Sequence, residues 1–132
     1  MSRENVELAR RGYDAFNRGD MDALIEGFAP DATVHPLDYW PDSFIRRGRD
    51  EIRRLFTELR EPWDRPEVKA AKLLDSGDYV VADHLYRGVM KGSEDEIEWR
   101  LGMSLTFRNG EITDMSFFRT FDEAVEAVGL SE

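Results

Sequence analysis

The fold of this chain is decided between Tyr13 and Pro36, where the sequence reads Tyr-Asp-Ala-Phe-Asn-Arg-Gly-Asp-Met-Asp-Ala-Leu-Ile-Glu-Gly-Phe-Ala-Pro-Asp-Ala-Thr-Val-His-Pro. Gly19 predicts the end of one helix, because glycine readily takes the left-handed backbone conformation that closes a helix. Asp20 predicts the start of a second helix, since its carboxylate accepts hydrogen bonds from the free N–H groups of the first turn. Pro30 predicts the end of that helix, and residues 31–37 then predict a short strand.

The two helices around this junction are amphipathic. Ser2 is predicted to cap the first, over about residues 3–17, whose apolar face is Val6, Ala9, Tyr13 and Phe16. The second has an apolar stripe made of Met21, Leu24, Ile25 and Phe28. Spacings of three and four residues place each stripe on one side of its helix, so both helices are expected to pack against a core.

The middle of the chain predicts a loop and a third helix. Pro36, Pro41 and three nearby aromatic residues predict an irregular loop, which is a candidate lid or pocket rim. Gly48 precedes a third helix that ends before Pro62, with an apolar face formed by Ile52, Leu55, Phe56 and Leu59. Residues 61–66 are the only linker-like stretch, and they are too few to divide two domains.

From residue 67 the apolar period changes to two, which is the period of a strand. Strands are predicted at about 67–75, 78–90, 96–108 and 111–120. Asn109-Gly110 is the clearest turn between them, because this dipeptide takes the positive φ angles of a tight hairpin. Thr120 and Glu123 then form a capping box for a closing helix that ends at Gly129.

The order of elements is therefore helix, helix, strand, helix, four strands, helix. This order predicts an α+β domain, with helices segregated on one face of a mostly antiparallel sheet. At 132 residues and 41% hydrophobic residues, the chain is expected to form a single domain over residues 1–132.

Two strands predict which side chains face the interior. In the strand at 96–108, one face is wholly apolar and consists of Ile97, Trp99, Leu101, Met103, Leu105 and Phe107. In the strand at 78–90, the more apolar phase carries His84 and Tyr86, whereas the other phase carries Asp83 and Arg87. His84 and Tyr86 are therefore expected to point toward the core.

Composition excludes several classes of partner. The net charge is −10, with 28 acidic and 18 basic residues, and a nucleic-acid partner is not expected because phosphates are bound by clustered Lys and Arg. No apolar run approaches the roughly 18 residues of a membrane span, and the polar N-terminus predicts neither a signal peptide nor an anchor. The absence of cysteine is compatible with a reducing compartment, so a cytoplasmic protein is the expectation.

Four motifs in this order resemble the SnoaL-like domains of the nuclear transport factor 2 superfamily, which includes polyketide cyclases and ketosteroid isomerases. They are the run at 13–36 quoted above, Arg47-Gly48-Arg49-Asp50-Glu51-Ile52, Asp75-Ser76-Gly77-Asp78-Tyr79-Val80-Val81 and Phe107-Arg108-Asn109-Gly110-Glu111-Ile112. The resemblance implies a cone, in which a strongly curved sheet wraps around the helices and leaves a deep, mostly apolar pocket. It also implies a homodimer through the sheet. It does not imply one activity, because the superfamily contains enzymes of several kinds and members that only bind or scaffold.

The residues of the family's best-known chemistry are missing from this sequence. Aligned through these motifs, the general base of a ketosteroid isomerase falls on Pro36 and its oxyanion-binding Asp falls on Met103. The isomerase's helix Tyr falls on Gly12, with Tyr13 one residue away. The Arg and Asp of the related epoxide hydrolase correspond to Arg100 and Gly102, so that mechanism is unsupported as well.

Two residues are candidate acid–base groups. His84 lies on an apolar strand face beside Tyr86 and can act as a general acid or base near neutral pH, or it can be a hydrogen-bonded core or interface histidine. Asp38 lies at the loop entrance and can substitute for the missing base, or it can be a solvated loop carboxylate. His35 and His84 do not have the spacing of metal ligands, so neither a metal nor any other cofactor is predicted.

A further set of residues is predicted to shape a ligand cavity: Tyr13, His35, Tyr39, Trp40, Phe56, Tyr86, Trp99, Met103 and Phe117. Tyr39 and Trp40 can either close over a flat ligand or attach the loop to the sheet. His35 can point to the rim, or it can simply pack against Pro36. A basic cluster at Arg46, Arg47, Arg49, Arg53 and Arg54 can attract an anionic ligand tail, or it can be a solvated helix face.

Two hypotheses about function remain open from the sequence. The first is a metal-free isomerase, cyclase or hydrolase that acts on a small, hydrophobic, oxygenated molecule by acid–base proton transfer, with His84 or Asp38 carrying the proton. The second is a ligand-binding or dimerisation domain of the same fold without catalytic activity.

Overall fold

The computed structural model describes residues 2–38, 40 and 43–129, and all of their side chains except that of Ser2. The four helices are α1 (Ser2–Arg18), α2 (Met21–Glu26), α3 (Arg49–Arg60) and α4 (Phe121–Ala127). The six strands are β1 (Phe28–His35), β2 (Arg46–Arg47), β3 (Trp63–Ser76), β4 (Tyr79–Met90), β5 (Glu96–Arg108) and β6 (Glu111–Phe118). The predicted cap at Ser2 concerns a side chain outside this description.

The six strands form one curved, open sheet in the order β2-β1-β6-β5-β4-β3. The strands β3 to β6 follow one another as an antiparallel meander, which confirms the four-strand prediction. Strands β1 and β6 lie side by side and run in the same direction, so this pair is parallel. Asn109 and Gly110 both have positive φ, 53° and 78°, as the predicted hairpin turn requires. The α+β prediction is confirmed.

The main core lies between the concave face of the sheet and helices α1, α2 and α3. Phe16 of α1, Ile25 of α2 and Ile52 of α3 belong to one buried cluster with the inward residues of the strands. Helix α4 does not join them. Its Ala124 and Val125 pack with Val81 on the opposite face of the sheet. The prediction that all helices lie on one face is therefore wrong for α4.

Gly102 explains how α4 fits so closely against that outer face. A Cβ atom at this position would lie 2.1 Å from the backbone oxygen of Thr120, the residue that caps α4. Only glycine leaves room for this approach. The Thr120 hydroxyl accepts a hydrogen bond from Glu123 N at 3.1 Å, which confirms that half of the predicted capping box.

The junction between α1 and α2 is held by Asp20 within it and by Arg60 of α3. Gly19 has φ 77°, and its α-carbon lies against the Arg60 guanidinium, which donates hydrogen bonds to the backbone oxygens of Phe16 and Asn17. Asp20 accepts a hydrogen bond from Ala23 N at 3.0 Å and so caps α2 as predicted. Arg60 thereby gives the last carbonyl groups of α1 side-chain donors, in addition to the hydrogen bond that Phe16 O accepts from Gly19 N.

Asn17 connects the same junction to the edge of the sheet. Its side-chain amide donates to the Val68 carbonyl at 2.9 Å, and its side-chain oxygen accepts from Val68 N at 2.7 Å. Val68 belongs to β3, the strand at one edge of the sheet. Asn17 therefore satisfies two backbone groups that have no further strand to pair with.

Two predicted boundaries near prolines are wrong. Helix α2 ends at Glu26, four residues before Pro30, and Pro30 instead lies within β1. It is tolerated because the β1–β6 register is interrupted between Phe28 and Thr33, and the short β2 pairs only with Thr33 and Val34. Strand β3 likewise begins at Trp63, inside the stretch predicted as a linker, and its register shifts between Asp64 and Glu67, around Pro66.

Candidate functional site

The concave face of the sheet and the helices form a cavity of about 480 Å³ that is open to solvent on one side. Eight of the residues predicted from the sequence line it: Tyr13, Trp40, Phe56, His84, Tyr86, Trp99, Met103 and Phe117. Most of the remaining lining is also apolar and includes Leu24, Phe28, Trp63, Leu101 and Met115. A volume of this size is in the range of cavities that hold small molecules.

Two polar side chains meet inside this apolar wall. Tyr13 projects from α1 and His84 from β4, and the Tyr13 hydroxyl lies 3.0 Å from Nδ1 of His84, within hydrogen-bonding distance. The two rings are 5.4 Å apart and tilted by 31°. His84 is 8% exposed. The alternation of β4 places His84 inward, as the sequence predicted.

His84 also has a second ring nitrogen, Nε2. Among the described residues, Nε2 of His84 has no hydrogen-bond partner, and none of their fully buried side-chain nitrogens or oxygens lacks one. Nε2 therefore keeps accessible surface, and the cavity is the space that His84 lines. This nitrogen is available to a bound molecule.

Burial keeps both members of the pair uncharged. Desolvation lowers the pKa of His84 to about 4, so the imidazole is neutral at neutral pH. Desolvation also raises the pKa of Tyr13 strongly, and the negative charge of Asp83 raises it further. Asp83 itself points to the outer face, where it forms an ion pair with Arg100. The cavity therefore presents hydrogen-bonding groups without a net charge.

Three aromatic rings in mutual contact form one wall of the cavity. Tyr86 and Trp99 are stacked, with ring centres 4.5 Å apart, and Trp63 lies 5.2 Å from Trp99. The Tyr86 hydroxyl donates to the Leu59 carbonyl at 2.9 Å, so it is already used. Burial raises the pKa of Tyr86 to about 12, against the opposing effect of Arg60. This wall offers flat apolar surface to a ligand.

Trp40 covers the cavity near the polar pair. Its ring lies 5.1 Å from that of Phe117, and Phe117 meets His84 edge-on at 5.9 Å. Trp40 thus lines the cavity and also packs on Phe117 of the sheet. A position over a ligand and attachment to the sheet, the two roles considered for it from the sequence, are therefore compatible. Tyr39, its predicted companion, lies outside the described residues.

Asp38, the second candidate base, does not reach the cavity. Its side chain is 85% exposed, and its Oδ1 lies 3.5 Å from Arg119. The loop turns the carboxylate toward solvent, where hydration of the charge is most favourable. The structure gives it no contact with the polar pair.

His35 also lies away from the cavity, on the outer face of the sheet. Because Val34 is fully buried, the neighbouring residues of β1 point outward. His35 Nε2 lies 2.8 Å from Asp114, which also accepts hydrogen bonds from Thr33 at 2.5 Å and Ser116 at 3.2 Å. We call Thr33, His35, Asp114 and Ser116 the outer polar cluster. His35 therefore belongs to this hydrogen-bonded cluster. The structure supports neither the expected rim position nor packing against Pro36 as its main role.

The other sequence candidates have structural roles. Arg49 donates two hydrogen bonds to the Phe28 carbonyl, Arg53 forms an ion pair with Asp22, and Arg46 is buried against Phe44. The basic cluster is thus largely used within the fold. Gly12 and Met103, at the isomerase positions, line the cavity without offering a polar side-chain group like those they replace.

Trp63 is the main site residue that the sequence did not reveal. It was assigned to a linker, and only its aromatic character signalled a role. Leu101 and Leu105 also line the cavity; the period of β5 had placed them on the same face as Trp99 and Met103, without assigning them to the site. Among the described residues, no three His, Asp or Glu side chains are grouped to hold a metal ion. No helix within the described part is long and apolar enough to cross a membrane.

The comparisons with known proteins agree with this architecture. The model of the SnoaL-like domain family matches residues 9–115, and the chain belongs to that family. No curated protein matches the sequence significantly.

Solved structures share the fold at low sequence identity. Bal32a, from a soil-derived mobile gene cassette, is 26% identical with a TM-score of 0.78 over 88% of each chain. A protein with a ketosteroid isomerase-like fold from Catenulispora acidiphila, in complex with trimethylamine, is 22% identical with a TM-score of 0.76, over 95% of this chain and 94% of that one. TerC, co-crystallised with polyporic acid, is 18% identical with a TM-score of 0.77, over 93% and 98% of the two chains.

Proposed function

We propose that this protein binds a small, uncharged, mostly apolar molecule that carries a hydrogen-bonding oxygen. The observation that carries the proposal is the Tyr13–His84 pair inside an apolar cavity of about 480 Å³. Burying apolar ligand surface there supplies affinity, and the pair fixes the orientation of the ligand. The fold accommodates a small organic molecule in at least one other protein, since TerC was co-crystallised with polyporic acid.

The ligand class follows from the electrostatics of the cavity. A carboxylate, phosphate or ammonium group would lose its hydration without meeting an opposite charge, at a cost of several kcal/mol. Tyr13 and His84 can each form a hydrogen bond with a neutral oxygen at much lower cost. A single ketone, phenol or alcohol on a hydrocarbon frame therefore fits best.

Fluorenone, a rigid neutral tricycle with one carbonyl oxygen, is a suitable probe for this proposal. We expect saturable binding by titration calorimetry and an increase in Tm, because a ligand that binds only the folded state stabilises it. Fluorene-9-carboxylate, with a similar frame and a negative charge, should bind at least about tenfold more weakly. Native mass spectrometry of the purified protein tests in addition for a ligand that co-purifies.

Tyr13→Phe should weaken fluorenone binding by about tenfold, the effect of one lost hydrogen bond. Tyr79→Phe is a matched control, because Tyr79 begins β4 and does not line the cavity. Equal binding of fluorenone by wild type and Tyr13→Phe would contradict the anchoring role. No binding of fluorenone or of any co-purifying molecule would contradict the proposal as a whole.

Acid–base catalysis is the second candidate function, and the free Nε2 of the neutral His84 favours it. An unprotonated imidazole that faces a bound molecule can accept a proton, as an isomerase, cyclase or hydrolase of this kind requires. Asp38 is not part of this proposal, because it lies in solvent.

A homodimer through the sheet completes the proposal. The outer polar cluster supports it, because its side chains are short, partly exposed and internally paired, so the face can be covered at little electrostatic cost. A cytoplasmic location and a single domain over residues 1–132 are proposed on composition and length.

A further inference from the structure

The outer face of the sheet carries a second concave site, beside the start of α4. It has a volume of about 350 Å³ and is lined by residues of β3, β4 and β5 together with residues 119–122. We call it the outer pocket. Of its lining residues, only Leu101 also lines the cavity described above. The outer polar cluster belongs to other strands, β1 and β6, so the outer pocket is separate from both sites.

The outer pocket has an excess of positive charge in an acidic protein. Lys72, Arg100 and Arg119 contribute three cations to its lining, against the two carboxylates of Asp83 and Asp122. In the whole chain this balance is reversed, with 18 basic and 28 acidic residues. A concave site focuses the field of the charges that line it, because its walls have a low dielectric constant. The outer pocket is therefore suited to an anion.

Two of the cations form long ion pairs at the surface. Arg100 lies 3.4 Å from Asp83, and Arg119 lies 3.5 Å from Asp38. The side chains of Arg100 and Arg119 are 62% and 61% exposed. Pairs of such exposure contribute little to stability, since water screens both charges. A ligand with more than one negative charge can therefore compete with these carboxylates for both guanidinium groups.

The third cation lies against an aromatic ring. Lys72 Nζ is 5.2 Å from the centre of the Phe121 ring, a cation–π contact, and among the described residues it forms no ion pair. The Phe121 side chain is partly exposed. The Thr120 hydroxyl accepts a hydrogen bond from Glu123 N and still has its own proton to donate. The outer pocket thus places hydrogen-bond donors and an apolar ring side by side.

We propose that the outer pocket binds the phosphate monoester group of a small molecule. Lys72, Arg100 and Arg119 donate to the phosphate oxygens, and the organic part of the ligand packs on Phe121. A phosphate monoester carries about 1.5 to 2 negative charges at pH 7 and has three acceptor oxygens, so it can engage all three cations, whereas a carboxylate has a single charge. The volume of the outer pocket leaves room for an organic group beside the phosphate.

A ligand in solution fits the outer pocket better than a phosphorylated lipid in a membrane. The chain has a net charge of −10, and a membrane that displays phosphate monoesters is itself negatively charged. The rest of the molecule therefore opposes approach to such a surface. A single soluble anion experiences mainly the nearest charges, because salt screens charges beyond about 8–10 Å. This inference is independent of the molecule that the cavity binds.

Phenyl phosphate, a small aromatic monoester, is the probe for the outer pocket. It is titrated at fixed ionic strength into isotope-labelled protein, and binding is followed by NMR chemical shifts. We expect saturable shifts at the backbone amides of Lys72, Arg100 and Phe121, and none at Phe56 in the cavity. Phenyl sulfate has a similar shape but a single negative charge, so it should bind at least about threefold more weakly. Protein saturated with fluorenone should bind phenyl phosphate equally well.

Three variants test whether the binding belongs to the outer pocket. Lys72→Gln should weaken phenyl phosphate binding at least about threefold, because one of the three cations is lost. Lys69→Gln is the matched control, since it removes the same charge from an exposed position of β3 that does not line the outer pocket. Its dissociation constant should change by less than about twofold. Asp122→Asn removes a carboxylate from the lining and should strengthen binding by about twofold, which a merely structural effect would not do.

Several outcomes would overturn the proposal. They are no saturable binding up to about 10 mM phenyl phosphate, shifts confined to cavity residues, and equal losses of affinity in Lys72→Gln and Lys69→Gln. Co-sedimentation with phosphatidylcholine vesicles that contain phosphatidic acid is measured in parallel, and binding to those vesicles without binding of phenyl phosphate would overturn a soluble ligand. Fluorenone tests the proposed function of the cavity separately, so these results leave it as it stands.

Discussion

Burial of His84 couples the acid stability of the protein to a single side chain. The folded-state pKa of about 4 lies below the ordinary value of 6.5, so the folded state disfavours the protonated form. Unfolding then takes up a proton at pH values between these two numbers, and stability falls as the pH decreases from 6.5 toward 4.

We expect the contribution of His84 to the unfolding free energy to fall by about 2 kcal/mol between neutral pH and about pH 4.5. Urea denaturation of wild type and His84→Gln at both pH values measures it, because glutamine does not titrate in this range. The decrease in unfolding free energy between the two pH values should be smaller in His84→Gln than in wild type by about 2 kcal/mol. His35→Gln removes the partly exposed histidine instead, and an equal effect of both variants would contradict the assignment to His84.

Glycine substitutions test how closely α4 packs on the sheet. Gly102→Ala places a methyl group within 2.1 Å of the Thr120 oxygen, so α4 has to shift, and we expect a loss of about 1–3 kcal/mol in unfolding free energy. Gly12→Ala is the control, because its new methyl group meets Leu24 at an ordinary 3.6 Å within a helix. It should stabilise the protein by up to about 1 kcal/mol. Chemical denaturation of both variants distinguishes the two effects. An unchanged unfolding free energy in Gly102→Ala would contradict the close packing of α4 on the sheet.

Single residues also show where sequence reasoning succeeds and where it stops. The inward direction of His84 could be predicted, because the phase of β4 that contains it is the more apolar one, while the other phase carries Asp83 and Arg87. The same parity, applied to buried Val34, would have placed His35 outward. Asp38 follows the end of β1, where no period exists, and its direction depends on the path of the loop. The pairing of Tyr13 with His84 joins residues 71 positions apart, so no local pattern contains it.

At the scale of elements, Asn17 links the end of α1 to the edge strand β3. Asn17→Ala would leave the N–H and C=O groups of Val68 without their side-chain partners, and we expect a loss of about 1–3 kcal/mol in unfolding free energy. Amide hydrogen exchange at Val68 should become faster. An exposed β3 edge should also increase aggregation, since unpaired strand edges template association.

Asn5→Ala is the matched control for Asn17. Asn5 lies on the same helix and is buried, but it makes one hydrogen bond, to the Gly77 carbonyl at 3.0 Å. Asn5→Ala should lower the unfolding free energy by less than Asn17→Ala does. It should leave the rate of amide hydrogen exchange at Val68 unchanged. Equal losses of unfolding free energy in the two variants would contradict the role of Asn17 at the β3 edge. They would show that its hydrogen bonds to Val68 add nothing to the effect of removing a buried asparagine.

Element boundaries were predictable wherever a period or a turn residue defined them. The bounds of β5 match the prediction, because its alternation is uninterrupted. Pro30 and Pro66 were misleading, since a proline stops a helix or strand only where its missing N–H is needed. The outer position of α4 depends on Gly102, which looks from the sequence like an ordinary strand residue.

At the scale of the whole molecule, the outer polar cluster gives the proposed homodimer a test. Ser116→Glu places a second carboxylate beside Asp114, and the two-fold related copy would carry the same addition. Like charges buried across an interface are unfavourable, so we expect a shift from dimer to monomer by analytical ultracentrifugation. Thr57→Glu, on the exposed face of α3, should leave the mass unchanged. A monomeric wild type would contradict the dimer directly.

The joint formed by Asn17, Gly19, Asp20 and Arg60 has a consequence for how such proteins diverge. None of these four residues lines the cavity, although two side chains that do line it contact the joint: Arg18 forms an ion pair with Asp20, and the Phe16 ring lies beneath the Arg60 guanidinium. The cavity lining is itself part of the buried core, since Phe28, Phe56 and Met103 belong to both. Divergence in ligand preference therefore has to keep the inner face well packed at each substitution, whereas the joint can stay constant.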